Sequence, residues 1–222
     1  MADLMEKRSG TVYATDAMVS AVMCAARSVY GWDLIITKRD GVLVMDKRPE
    51  GSFDLLTVSE TAQDPIPDDK ENINGVHKLS KESTQCNFDY AQQVLTEESE
   101  NFGDDRDPFG TGDANTAKVG YRYRKWDVGG GVVLVSRHEL NGVTDSKGAK
   151  ALLSIKTLNE FDSKIAGVDY RKQIETQRGA VIATELKNNA NKLAKWTCEA
   201  LLAGADQLKL GFDHTLAKAG ER

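Results

Sequence analysis

Residues 177–212 read QRGAVIATELKNNANKLAKWTCEALLAGADQLKLGF, and the expected architecture hangs on how they fold. The β-branched run Val181, Ile182 and Thr184 predicts a strand ending in Glu185-Leu186-Lys187. Asn188 and Asn189 offer an N-cap to a helix over 192–203. Its apolar positions Leu193, Trp196, Ala200 and Leu201 recur at helical spacing until Gly204 stops it. Leu208 to Phe212 predicts a second strand, giving a strand, helix, strand unit with a right-handed crossover. Alternation along such a strand puts Glu185 and Lys187 on one face. A carboxylate and an ammonium so placed can hold a divalent cation and a phosphate, or form an ordinary salt bridge at a sheet edge.

The totals narrow the function classes. The chain has 222 residues and a net charge of -5, enough length for a substantial core and the wrong sign for wholesale coating of nucleic acid. Any nucleic-acid site must be a local patch. Cys24, Cys86 and Cys198 are odd in number and lack metal-ligand spacing, which predicts reduced, buried thiols in a cytosolic or nuclear setting. No run approaches the ~18 apolar residues that span a bilayer, and the N-terminus has no apolar signal core. Membrane insertion and secretion are not expected.

Working outward, Asp16 to Tyr30 predicts a largely buried helix capped by Thr15 or Asp16. Trp32 to Met45 predicts a hairpin turned by Arg39-Asp40-Gly41. Phe53 to Val58 suggests another strand, and Asp64 to Asn74 a surface loop. Phe88 to Leu95 suggests a short helix, and Thr96 to Ala117 a mobile insertion. Val119 to Trp126 and Val132 to Leu140 form a second hairpin across Gly129-Gly130-Gly131, with Tyr121 and Tyr123 on one face and Arg122 and Arg124 on the other. Arg137, His138 and Glu139 lie on its second strand. Interleaved arginines and aromatics suit RNA, whose phosphates meet guanidinium groups while rings stack on bases. They equally suit a half-buried hairpin with tyrosines inside and arginines in water. Leu152 to Ile155 suggests one more strand. The fold class is α/β in the α+β sense, a mixed β-sheet core with flanking helices.

Phosphate-loop, dinucleotide and nucleophile-elbow motifs are absent. Asp105, Asp107 and Gly110 open like a calcium loop, but Thr116 stands where a bidentate glutamate belongs. No cofactor or metal is expected. What remains is Glu139 paired with Glu185 and Lys187, the elements of metal-dependent phosphodiester cleavage. Asn141 occupies the position where a second carboxylate would complete E-x-D, and an uncharged ligand weakens a hard-cation site.

The segments GTVYATDAMVSAVM, RSVYGWDL, FDLLTVSETA, VGYRYRKW, SIKTLNEFD, DYRKQ and the opening stretch resemble the family of the d subunit of the eukaryotic translation initiation factor three complex. The resemblance runs from about Gly10 to Phe212, with different sequence near 64–81 and 97–117. It implies residues 1–9 as a disordered lead and 10–222 as one cap-binding domain, shorter than the family's proteins. The implied function is binding of the mRNA 5′ cap, recruiting selected capped mRNAs to the small ribosomal subunit. No catalysis is implied. The implied partners are capped mRNA, other subunits of the complex and the small ribosomal subunit, in the cytoplasm and away from membranes.

The family's domain is in turn similar to the decapping exoribonucleases. On that pattern VVLVSRHELN matches the strand bearing E-x-D, IATELK the strand bearing the glutamate and lysine, and KLAKWTCEALLAG the next helix. Glu139, Asn141, Glu185, Lys187 and Glu199 would then be a vestigial nuclease-like site, with Asn141 for an aspartate and Glu199 for a glutamine. The span between Glu139 and Glu185 is unlike the nucleases and is a candidate RNA gate. The resemblance implies cap contacts by Asp16, Val29 and Tyr30. Helix capping is the other reading of Asp16, and core packing of Tyr30. Arg122, Arg124, Arg137, Lys187 and Lys192 are the expected RNA-facing cations. The alternative function is a Mg-dependent decapping enzyme or 5′ exonuclease using Glu139, Glu185 and Lys187.

Overall fold

The computed structural model describes residues 1–49, 51–66, 69, 72, 74–101, 119–146, 148–160, 162–163 and 167–213. Two mixed sheets form the core, as the α+β reading expects. The first has the order β2-β3-β1-β5-β4, from β1 (Val12–Thr15), β2 (Ile35–Arg39), β3 (Val42–Asp46), β4 (Gly120–Gly129) and β5 (Val132–Leu140). The second has the order β6-β7-β8, from β6 (Gly142–Ser146), β7 (Ala149–Asn159) and β8 (Gln207–Asp213). Short loops carry the two antiparallel hairpins of the first sheet. Asp40 and Gly41 take positive φ of 47° and 86° between β2 and β3, the left-handed pair that an Asp-Gly hairpin turn requires. Strand β1 lies parallel to both β3 and β5, so these pairings need crossovers, and helices supply them.

Helix α2 (Asp16–Met23) follows β1 directly and is shorter than expected, giving way to a 3₁₀ turn at Ala25–Arg27. Helix α3 (Val76–Gln93) is much longer than the predicted 88–95 helix, and it takes in the last part of the 64–81 span. It covers β7, with Ala91, Leu153 and Ile155 forming a buried cluster. Most of the insertion expected at 97–117 lies outside the described residues.

Three expectations are corrected. Residues 178–188 are not a strand but helix α5 (Arg178–Asn188), which breaks at Asn189 and continues as α6 (Ala190–Ala203). The buried positions of α5 are Val181, Glu185 and Asn188, a helical spacing hidden because two of the three are polar. Residues 53–58 begin in a 3₁₀ turn, Ser52–Asp54, and then run irregularly. Residues 1–9 are not disordered throughout. Helix α1 (Ala2–Glu6) forms there, and Met1, Leu4 and Met5 pack on the buried cluster of Tyr13, Val42 and Val135. The unit is therefore β7, short helix α4 (Tyr170–Gln173), α5, α6, β8, with β7 and β8 parallel. Trp196, Val181, Leu193, Leu158 and Tyr170 form its core. Gly204 closes α6 in the left-handed conformation at φ 65°, as predicted. No helix among the described residues is long and apolar enough to cross a membrane.

Candidate functional site

The end of β5 brings together part of the nuclease-like set. The Asp16 carboxylate, at the start of α2, accepts from the Glu139 backbone N–H at 3.0 Å and from its neighbour Ala17 at 2.8 Å. It therefore caps backbone on two elements, and burial, against those two bonds, leaves its pKa above the ordinary value. Asn141 is the joint between the sheets. Its Nδ2 donates to Glu139 Oε1 at 2.9 Å and its Oδ1 accepts from the Ile155 N–H at 2.8 Å. Nearby, Glu199 of α6 accepts from Ser20 Oγ at 3.1 Å and pairs with Lys156 at 3.5 Å.

Glu185 sits in a different neighbourhood, at the break between α5 and α6. It is buried and accepts from Asn189 Nδ2 at 2.7 Å. Burial outweighs the attraction of Lys192 and raises its pKa. Lys192 is 1% exposed, and its Nζ lies 5.5 Å from the centre of the Trp196 ring. Burial pulls its pKa down to about 8. The carboxylate and ammonium of the sequence motif are thus split apart, Glu185 facing the core and Lys187 lying on the exposed side of α5. Among the described residues no three His, Cys, Asp or Glu side chains are grouped as a metal ion requires.

The basic hairpin also has inward work. Arg122 Nη1 donates to the carbonyls of Ala203 and Gly204, and Arg124 Nη1 to those of Leu201 and Leu202. Together they satisfy the last carbonyls of α6, the negative end of its dipole. Arg137 stacks on Tyr121 at 4.9 Å and Arg124 on Trp126 at 5.3 Å. His138 is fully buried, bonds Ser136 Oγ at 2.7 Å and meets Trp126 edge-on. Burial, with Arg124 and Arg122 adding to it, lowers its pKa to about 4. It is a neutral core group and has no access to RNA. Within the span expected to gate RNA, Gly142–Ser146 and Ala149–Asn159 are strands β6 and β7.

Beside α2 lies a cavity of about 340 Å³, lined by Tyr30, Trp32 and Phe53 with Glu60, His77 and Lys195 among its polar groups. This is within the size range of small-molecule sites. Glu60 shapes it. Its Oε1 accepts from the Val29 N–H at 2.8 Å, from Ser28 Oγ at 3.2 Å and from the Tyr30 N–H at 3.4 Å, while Oε2 accepts from Asn191 Nδ2 at 3.1 Å. Burial would raise its pKa, yet the bonds from Asn191, Val29, Thr57 and Tyr30 outweigh it and hold the carboxyl below its ordinary value. An ionised, buried Glu60 thus ties the exit of α2 to the start of α6. Of the predicted cap contacts, Tyr30 lines this cavity; Val29 is 60% exposed, and only its N–H joins the carboxylate.

The family model for Eukaryotic translation initiation factor 3 subunit 7 (eIF-3) matches residues 1–214. The chain belongs to this family. An Arabidopsis thaliana protein, the D subunit of eukaryotic translation initiation factor 3, is 48% identical over 211 residues, covering 94% of this chain and 36% of the relative. The D-1 subunit of Drosophila virilis is 48% identical over 215 residues, covering 94% and 38%. The D-2 subunit of Drosophila melanogaster is 46% identical over 213 residues, covering 94% and 39%. The chain spans well under half the length of these relatives. Reasoning from the sequence missed Glu60, Asn191 and Lys195 as residues that line the cavity with Tyr30. Glu60 sits in FDLLTVSETA, one of the segments that carry the family likeness, but nothing local marks it as an anchor for a turn 30 residues earlier.

Proposed function

We propose that this chain is the mRNA 5′ cap-binding part of a translation initiation factor subunit, recruiting selected capped mRNAs to the small ribosomal subunit without catalysis. Its partners on this reading are capped mRNA, other subunits of the initiation factor complex and the small ribosomal subunit, in the cytoplasm. The likeness to the decapping exoribonuclease fold belongs with the same reading. The observation that carries it is the cavity beside α2, where Tyr30, Trp32 and Phe53 gather with the Glu60 carboxylate, the Lys195 ammonium and the His77 ring on its walls. Aromatic rings favour a positively charged methylated base, and a cation favours the phosphates that follow it. Family membership supports the wider role. Asp16, Val29, Arg122, Arg124, Arg137, Lys187 and Lys192 remain subordinate to this cavity, because their described contacts are to the protein itself or they lie away from its lining.

Titrating the protein with cap analogue, and with capped against uncapped RNA of one sequence, tests the proposal. Trp32→Ala and Tyr30→Ala each lose about 1–3 kcal/mol of cap affinity, the usual contribution of a stacked ring. Equal affinity for capped and uncapped RNA overturns it. The nuclease reading would need Glu139 and Glu185 to share one metal, whereas their described partners differ, Asn141 for Glu139 and Asn189 for Glu185. RNA incubated with Mg²⁺ or Mn²⁺ stays intact if the binding reading holds.

A further inference from the structure

Helices α2 and α6 pack side by side, and at their interface the Cys24 and Cys198 sulfurs lie 3.6 Å apart. Both thiols are free; Cys24 is buried at the C-cap of α2, and Cys198 is half-buried on α6. One turn away the Ser20 to Glu199 bond fixes the same two helices against each other. The pair is also next to the cavity. Cys24 leads through Ala25–Arg27 to the lining residues Ser28, Tyr30 and Trp32, and Cys198 lies one turn beyond the lining residue Lys195. We infer that Cys24 and Cys198 form a modification site for disulfide oxidants of the glutathione disulfide class, closing a covalent clamp between α2 and α6.

The two thiols have unequal roles in the exchange. Cys198 is the more exposed member, so its thiolate attacks one sulfur of glutathione disulfide, forms a mixed disulfide and releases one glutathione thiolate, which takes a proton from water. Cys24 then loses its proton to water, and its thiolate attacks the Cys198 sulfur, expelling the second glutathione. Two protein S–H bonds are lost and one S–S bond is gained, while glutathione disulfide is reduced to two glutathione molecules. In the reduced pair burial, with the neighbouring Cys198 thiol adding to it, raises the Cys24 pKa to about 11 against the opposing charges of Arg27 and Lys195. The burial persists in the mixed disulfide, so the second step is slow at neutral pH. Closure brings the sulfurs from 3.6 Å to about 2.05 Å, a shift that two packed helices absorb locally. Cys86, on α3, has no thiol partner among the described residues and serves as the internal control.

The test incubates the reduced full chain with glutathione disulfide at about pH 9, where enough Cys24 is thiolate to react, until the products no longer change, and maps its peptides without reduction. The expected product loses two hydrogens, carries a Cys24–Cys198 crosslink and melts about 5–15 °C higher than the reduced chain, because the crosslink closes a long loop. Reduction by dithiothreitol restores the original melting point. Cys24→Ser stops at one glutathione on Cys198, and Cys198→Ser leaves Cys24 unmodified. Both variants keep the melting point of the reduced chain to within a few degrees, which shows that they are folded. A wild-type chain that stops at the mixed disulfide, or that stays reduced at Cys198 under these conditions, overturns the inference. A crosslink to Cys86 in place of Cys24 does the same.

Discussion

Asn141→Asp separates a structural reading of the β5 end from a catalytic one. In the native chain the Asn141 amide uses both ends, accepting from the Ile155 N–H at 2.8 Å and donating to Glu139 Oε1 at 2.9 Å. An aspartate keeps the first bond and loses the second. A hydrogen bond to a charged acceptor contributes about 1.5–3 kcal/mol. Two unit charges 4 Å apart add a repulsion of about 4 kcal/mol at an effective dielectric near 20. Glu139 is exposed and can turn toward water, which removes most of the Coulomb part. The expected loss at pH 8 is about 2–4 kcal/mol, a fall in melting temperature of about 4–16 °C for a chain of this length.

The pH dependence identifies the cause. The new carboxyl is buried beside another, so its folded pKa lies above the unfolded value of about 3.9. Its protonated form can donate to Glu139 as the amide did. The variant's stability deficit is therefore small near pH 4 and grows as pH rises through the folded pKa. Urea unfolding of both proteins at pH 4.5 and pH 8 measures it, and the titration of groups not in contact with residue 141 cancels in the difference. A deficit equal at both pH values, or none at pH 8, refutes the role given to Asn141. The substitution also restores E-x-D on β5. Since Glu185 stays at the α5–α6 break, the variant leaves RNA intact in Mn²⁺, and cleavage would refute that separation.

Arg122→Ala and Arg124→Ala each strip two carbonyls at the end of α6 of a charged donor and cost about 1–2 kcal/mol of stability. Their affinity for cap analogue stays within about twofold of the native value, as titration of each variant would show. Gly211→Ala sets a methyl group 2.2 Å from the Tyr90 ring of α3. The overpacking costs about 1–3 kcal/mol, and a Tyr90→Leu background recovers much of it in a double-mutant cycle. His138 has a folded pKa of about 4 against about 6.5 unfolded. Its contribution is complete above pH 6.5 and is lost as pH falls toward 4, by up to about 3 kcal/mol. Denaturant midpoints measured across that window fall with pH in the native chain and flatten in His138→Phe.

The elements legible in the sequence are those whose signal is local. Asp40-Gly41 and Gly129 to Gly131 announce their hairpins by the positive φ they must adopt, and α6 announces itself by Leu193, Trp196 and Ala200 at helical spacing. Helix α5 misleads because its inward face is Val181, Glu185 and Asn188, so the apolar residues that stand out, Val181 and Ile182, are adjacent. The strand expected at Phe53 to Val58 misleads for a different reason, which extends through the residues that follow it to 62. Their β-branched residues promise a strand, but their backbone and hydroxyl groups are spent on helices: Leu56 N–H on Thr84, Ser59 N–H on Asn189, and Thr61 on the carbonyls of Lys187 and Asn188. No neighbouring strand competes for these donors among the described residues. The arginines of β4 were legible as a row but not in purpose, since the carbonyls they bond lie about 80 residues later.

The two buried carboxylates flanking the α5–α6 break show how acidic groups are buried without making a metal site among the described residues. Glu185 has Asn189 as a donor and burial wins, so its pKa rises and its charge is weakly held. Glu60 gathers Asn191 and the turn over 28–30, the donors win, and its pKa falls. A cation could stabilise Glu60 only by displacing donors that already satisfy it, and each displaced N–H would be left buried and unpaired at about 1–3 kcal/mol. The same bonds fix the backbone that carries Tyr30 against α6. A carboxylate so fully occupied works as a rivet: it holds the ring and the α6 wall in register whether or not a ligand is present, and a rigid wall of this kind reduces the ordering cost of binding.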